Sequence, residues 1–240
     1  MTNNCELVVK GGVISHHIVQ LFDTHASLIK SVAAFLEYGF DAGDTLLVVA
    51  RPTYWKSIAK CLKRAGYPVD DAMSVGRLTV LDASATLASF MRRGAIAPAL
   101  FEEIVGSCVG RLAGRAGHGL RIYGEMVDLL AEEGNLEAAH ELEELWNELA
   151  ERYSFTLLCG YAAAHFTDPL TAQALRAICD AHTRVDTKSD DTLGNWVLKK
   201  ADNARRAMFV AQPERSQERF RGGGPLTGQT DYSDQKAKTC

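Results

Sequence analysis

The stretch HIVQLFDTHASLIKSVAAFLEYGFDAGDTLLVVARP, residues 17–52, decides the fold. It opens with a β-rich run, HIVQLF (17–22). It continues with a helical period that puts Leu28, Val32, Phe35 and Leu36 on one face of residues 26–39, and returns to an apolar run, TLLVVA (45–50). Gly39 stands where such a helix stops. A β-rich strand and an apolar strand joined by a helix form a parallel crossover, and strands of a parallel sheet, covered on both faces, are mostly apolar. The same alternation extends down the chain. A helix is expected at 53–65, with Trp55, Ile58, Ala59 and Leu62 on one face, and a strand at 77–81. Helices follow at 84–93 and 98–115, then strands at 120–125 and 155–161 around a helix at 136–152. After Asp168-Pro169 come a helix at 170–182, a polar break, and a last helix at 191–209. This order predicts an α/β fold, a three-layer and mostly parallel sheet with helices on both faces.

Composition narrows the class. The 240 residues are 47% hydrophobic and 23% charged with a net charge of −4, an ordinary globular balance with no concentrated basic face for nucleic acid. No apolar stretch is long enough for a membrane span and the N-terminus lacks the pattern of a signal peptide, so a cytoplasmic protein is expected. Six scattered cysteines without a CxxC pair read as reduced thiols; Cys61, Cys108, Cys159 and Cys179 lie in apolar patterns and read as core. From Gln212 the chain turns polar and Gly-rich, which predicts a disordered tail over 212–240.

The turn after the first strand, Phe22-Asp23-Thr24-His25-Ala26, contains no glycine and no lysine. A loop that grips nucleotide phosphates needs several exposed amides, a lysine and a hydroxyl, so this turn is not one, and Asp23 repels a phosphate. Asp23 or Thr24 is expected to cap the next helix. His16 and His17 point to opposite faces of a strand and cannot share one metal, so no metal is expected; His17 and His25 are kept as ligand-contact candidates. Tyr123, Glu125 and Met126 come at the carboxyl end of a strand, where open α/β sheets bind ligands, and Arg51 ends the second strand in the same way and could hold an anion. Residues 125–151 carry ten acidic side chains and no Lys or Arg. Most of these lie outside the stripe Leu142, Leu145, Trp146 and Leu149. Glu143 falls at the stripe's edge beside Trp146 and Asn147, where it is expected to be partly buried with a partner such as Arg51. No triad, Cys/His dyad or metalloprotease motif is present, so no catalytic residue is assigned and a non-enzymatic role is expected.

Three segments together carry a family resemblance: residues 16–52, RIYGEMVDLLAEEGNLEAAHELEELWNELAERYSFTLLCGY (121–161) and ALRAICDAHTRV (174–185). Their most specific pieces are His17-x-Val19-x-x-Phe22, the box Tyr123 to Met126, and Leu142 to Leu149. The chain resembles the MEDS domain, the sensory domain of methanogen and methylotroph regulators. The resemblance implies a RecA-like (KaiC-like) fold that has lost its phosphate loop, and a sensory rather than catalytic role. It places the domain at 15–185, after an N-terminal extension at 1–14 and before a helical extension at 186–211. Such domains stand alone or precede kinase or DNA-binding modules, and the residues after 185 are too few for a kinase catalytic domain. A small-molecule ligand bound near His17, Asp23, His25, Arg51, Tyr123, Glu125, Met126, Glu143, Trp146 and Asn147 is therefore expected, with output to a partner such as a histidine kinase or regulator. The alternatives are a ligand-free scaffold, in which copies associate as a homo-oligomer, and a degenerate nucleotide binder. The residues name no cofactor.

Overall fold

The computed structural model describes residues 9–10, 13–14, 16–115 and 117–210. The expected tail at 212–240 lies outside the described residues, as does most of the expected extension at 1–14. Six strands, β1 (His16–Phe22), β2 (Thr45–Ala50), β3 (Leu78–Asp82), β4 (Leu120–Gly124), β5 (Thr156–Ala162) and β6 (Arg184–Thr187), form one sheet in the order β6-β1-β5-β4-β2-β3. Every neighbouring pair is parallel. Helices α1 (His25–Ala42), α2 (Pro52–Arg64) and α3 (Val69–Ser74) cover one face. The other face is covered by α4 (Ala83–Phe90), α5 (Pro98–Phe101), α6 (Ser107–Ala113), α7 (Met126–Glu132), α8 (Leu136–Arg152), α9 (Pro169–Asp180) and α10 (Thr192–Val210). The expected three-layer α/β architecture is what the chain adopts.

Local chemistry explains the element ends. Thr24 is extended and its hydroxyl accepts a hydrogen bond from Ser27 N, so Thr24, not Asp23, caps α1. At the other end Gly43 takes φ +79° and its amide closes onto the last carbonyls of the helix, a left-handed C-cap that β-carbon-bearing residues adopt only with strain. Pro52 opens α2, where its missing amide is no loss. The helix expected at 84–93 ends at Phe90, because Met91–Arg92 and Ala95–Ile96 pair as a hairpin around Arg93 and Gly94, both at positive φ. The helix expected at 98–115 is interrupted: Glu102–Gly106 is a π-helical turn between α5 and α6. The polar break after α9 contains a strand, β6, which pairs with β1 from Arg184↔Ile18 to Thr187↔Leu21. It straddles the expected boundary at 185, and Val197 and Ala201 of α10 join the core of the α8 face.

That core centres on Trp146, which is 1% exposed and meets the rings of Phe101 and Phe155 edge-on at centroid distances of 5.6 and 6.2 Å. Met126 is buried in the same cluster. Trp146 and Met126 are therefore packing residues of this face, not the walls of an open pocket. Trp146→Ala should lower the stability measured by urea denaturation by about 3–5 kcal/mol, and Trp146→Phe by clearly less.

Candidate functional site

The carboxyl edge of the sheet supplies the first group of polar residues. β2 leaves the sheet toward α2 on one face and its neighbour β4 leaves toward α7 on the other, which opens a crevice between their ends. Arg51 and Glu125 are the residues that follow those two strands. The Glu125 carboxylate accepts the Arg51 amide at 2.9 Å and lies 3.2 Å from its guanidinium, while Arg51 also reaches Asp128 at 3.2 Å and Glu132 at 2.7 Å. Burial disfavours the Arg51 cation, but these three carboxylates together outweigh it. Asp128 in turn accepts Ala162 N at 2.8 Å and faces His165 Nε2 at 3.1 Å, which joins the ends of β4 and β5. The anion that Arg51 holds is thus the protein's own. Tyr123 is fully buried beneath this crevice on the α1 side with its hydroxyl unpaired, and burial raises its pKa well above the ordinary range. His25 is exposed at the start of α1, its ring 4.7 Å from that of Tyr54.

A second group lies beneath α8. Glu143 has no exposed surface, and His17 Nε2 (3.1 Å), Cys159 Sγ (3.2 Å) and Tyr161 OH (2.8 Å) converge on its carboxylate, with His182 Nε2 at 3.4 Å. The expected pairing of Glu143 with Arg51 is not formed. The strand order sends Arg51 to the acids that follow β4, whereas α8 lays Glu143 over β1 and β5, where histidines are its partners. Burial opposes ionisation of Glu143, yet His182 and His17 hold its carboxyl far below the usual range, and the same burial raises the Cys159 thiol and the Tyr161 hydroxyl well above theirs. Asn147, one turn along α8, presents its oxygen to His17 Nδ1 at 2.9 Å and donates to Ala181 O. His16 on the opposite face stays partly exposed, as the alternation of a strand requires.

The third group stands at the turn after β1. Asp23 caps a helix, but a distant one: its two carboxylate oxygens accept Leu193 N at 2.8 Å and Gly194 N at 2.7 Å, the first amides of α10. Asp191 answers in the opposite direction, accepting Asp23 N at 3.1 Å and Ser27 Oγ at 2.7 Å. Beside this exchange opens a cleft of about 350 Å³ lined by Thr24, Ser27, Lys30, Lys188 and Asp190 together with the two clamped aspartates. The ten residues singled out in the sequence therefore divide among three polar groups and the core. Asp128, Cys159, Tyr161, His182 and Asp191 complete those groups. Of these, Asp128 was within reach of sequence reasoning, lying three residues past Glu125 on the helix that Glu125 opens.

Glu125 gives this region a pH dependence. Burial pushes its carboxyl from the ordinary 4.5 up to about 7, with Arg51 offsetting only part of the shift. The folded protein then keeps this proton while the unfolded chain has lost it, so the stability this one group contributes is full below about pH 4.5 and is lost as pH rises to about 7. Glu125→Gln removes the titration. Its stability relative to wild type should rise by about 3 kcal/mol between pH 4.5 and 7.5, read from urea midpoints. A difference that stays flat across that range would disprove the assignment.

Residues 16–182 match the family described as MEDS: MEthanogen/methylotroph, DcmR Sensory domain. No curated protein matches the chain. No helix among the described residues is long and apolar enough to cross a membrane. The match runs from the first residue of β1 to His182, and so takes in the buried group beneath α8 and the edge crevice while leaving α10 outside. The chain belongs to the MEDS family of sensory domains.

Proposed function

We propose that this protein is a non-catalytic signalling module, that a small polar ligand enters the cleft at the turn after β1, and that α10 carries the response to a partner protein. The observation that carries this reading is the reciprocal clamp between Asp23 and Asp191. Every wall of the cleft belongs to an element that the clamp joins: the start of α1, the turn before it, and the segment that leads into α10. A ligand that prefers one state of the clamp shifts the position of α10, and it does so by no more than its difference in affinity for the two states. Lys30 and Lys188 beside three aspartates suit a ligand that carries both charge signs. Trp196, 43% exposed on α10 with Lys200 over its ring, suits a contact with another protein. Kinship with RecA-like domains belongs to the same reading, since this turn is where such a domain grips phosphate.

Two measurements test it. In hydrogen–deuterium exchange, Asp23→Ala should speed exchange of the 192–202 amides at least about tenfold, the equivalent of 1.4 kcal/mol, and leave the sheet protected. In native mass spectrometry of the freshly purified chain, a small molecule should be retained and should be lost in Lys30→Ala. Unchanged exchange removes the clamp from the mechanism. A molecule that Lys30→Ala retains equally places the ligand outside this cleft and overturns the assignment, and a bare oligomer favours the ligand-free scaffold instead.

A further inference from the structure

We propose that His17, Glu143, Cys159 and His182 bind one divalent transition-metal ion of the zinc class, at a site separate from the cleft beside α10. Their four donor atoms lie within 4.8 Å of one another and are enclosed. Three of them already stand at the corners of a small triangle: His17 Nε2 is 3.4 Å from Cys159 Sγ and 3.1 Å from Glu143 Oε2, and the sulfur is 3.2 Å from that oxygen. In a tetrahedral zinc site, bonds of about 2.0–2.3 Å place neighbouring donor atoms roughly 3.3–3.6 Å apart, so closing this triangle on an ion takes shifts of a few tenths of an ångström. His182 Nε2 approaches Glu143 from the other carboxylate oxygen.

The orientation of the two imidazoles argues for a cation rather than a simple hydrogen-bond network. Asn147 donates its amide N–H to Ala181 O, which turns its oxygen toward His17 and makes His17 Nδ1 the donor. His182 Nδ1 donates to Ile178 O at 2.6 Å. Nδ1 is thereby the donor in both rings, which leaves Nε2 of each, both facing the Glu143 carboxylate, as the atom available to an ion. Metal-bound histidines are held in this manner, with the second nitrogen tied to an amide or carbonyl. His182 Nε2 is fully buried and makes no hydrogen bond of its own, an arrangement a bound ion resolves. Two nitrogens, one sulfur and one carboxylate oxygen form a donor set that suits zinc, and four protein ligands leave no open position for a substrate. On binding, the Cys159 S–H bond breaks, its proton leaves to solvent, and the thiolate bonds the ion in its place. The ion would link β1, α8, β5 and the segment between α9 and β6, and so couple the helix that bears the acidic surface to both strands on which it lies.

Cobalt(II) alone, added to the full chain after chelator treatment and dialysis, is the probe. The expected result is one cobalt per chain with micromolar or tighter affinity, the intense visible bands of a tetrahedral site, and a thiolate-to-cobalt charge-transfer band that zinc abolishes. Cys159→Ser should remove the charge-transfer band and weaken binding about 100-fold, with the fold checked by circular dichroism. Asn147→Ala touches no donor atom, serves where the serine variant does not fold, and should weaken binding about tenfold. The proposal is overturned if folded wild type takes up no stoichiometric cobalt, or if the charge-transfer band and affinity survive in both variants.

Discussion

A carboxylate with no exposed surface has to be met by donors on every side, and Glu143 imposes that demand on the middle of this molecule. It sits on α8, yet its partners come from β1, β5 and the end of the α9 segment, three elements that are distant in sequence. Removing one partner would strand a buried charge, which is why the group acts as a unit. The aromatic packing around Trp146 begins less than one turn further along the same helix. The polar centre and the apolar core of this face therefore share one support, and a shift in either moves α8.

Much of the fold could be read from the chain because parallel strands buried on both faces appear as continuous apolar runs. The strands that end at Ala50 and Ala162 carry that signature, with TLLVVA coinciding with β2, and the strand that ends at Phe22 carries it apart from its histidines and Gln20. β6 does not. Arg184 and Val185 are exposed at the edge of the sheet, so RVDT lacks both the apolar run and the alternation that mark a strand, and only its pairing with β1 makes it one. The six-residue helix α3 and the seven-residue helix α7 are too short for a helical period to stand out. The π-helical turn at Glu102–Gly106 leaves no trace in composition at all.

Site residues were legible to the degree that their chemistry is local. Arg51 and Glu125 were placed at strand ends, and strand ends are where they are; that they face each other follows from β2 lying beside β4, an adjacency set by strand order. Glu143 stood out because, unlike the other acids of α8, it falls at the edge of the apolar stripe. Its partners could not be deduced, since His17 and His182 lie far along the chain on either side and nothing in their spacing relates them. Cys159 read as a small hydrophobe, and its burial agrees with that; its contact with Glu143 belongs to the fold and not to its neighbours in sequence.

The carboxylate of Asp23 occupies the amides of α10 in the way a bound anion would, since a helix start offers unpaired N–H groups and a positive dipole end. The chain thus carries its own occupant for that place, on a tether whose local concentration is on the order of millimolar or higher. Anything that reaches α10 through this turn competes with a ligand that never diffuses away. On the function proposed above, sensitivity is a property of the tether: a stronger hold by the aspartate would demand a higher dose, and a weaker one would let the module respond at a lower dose.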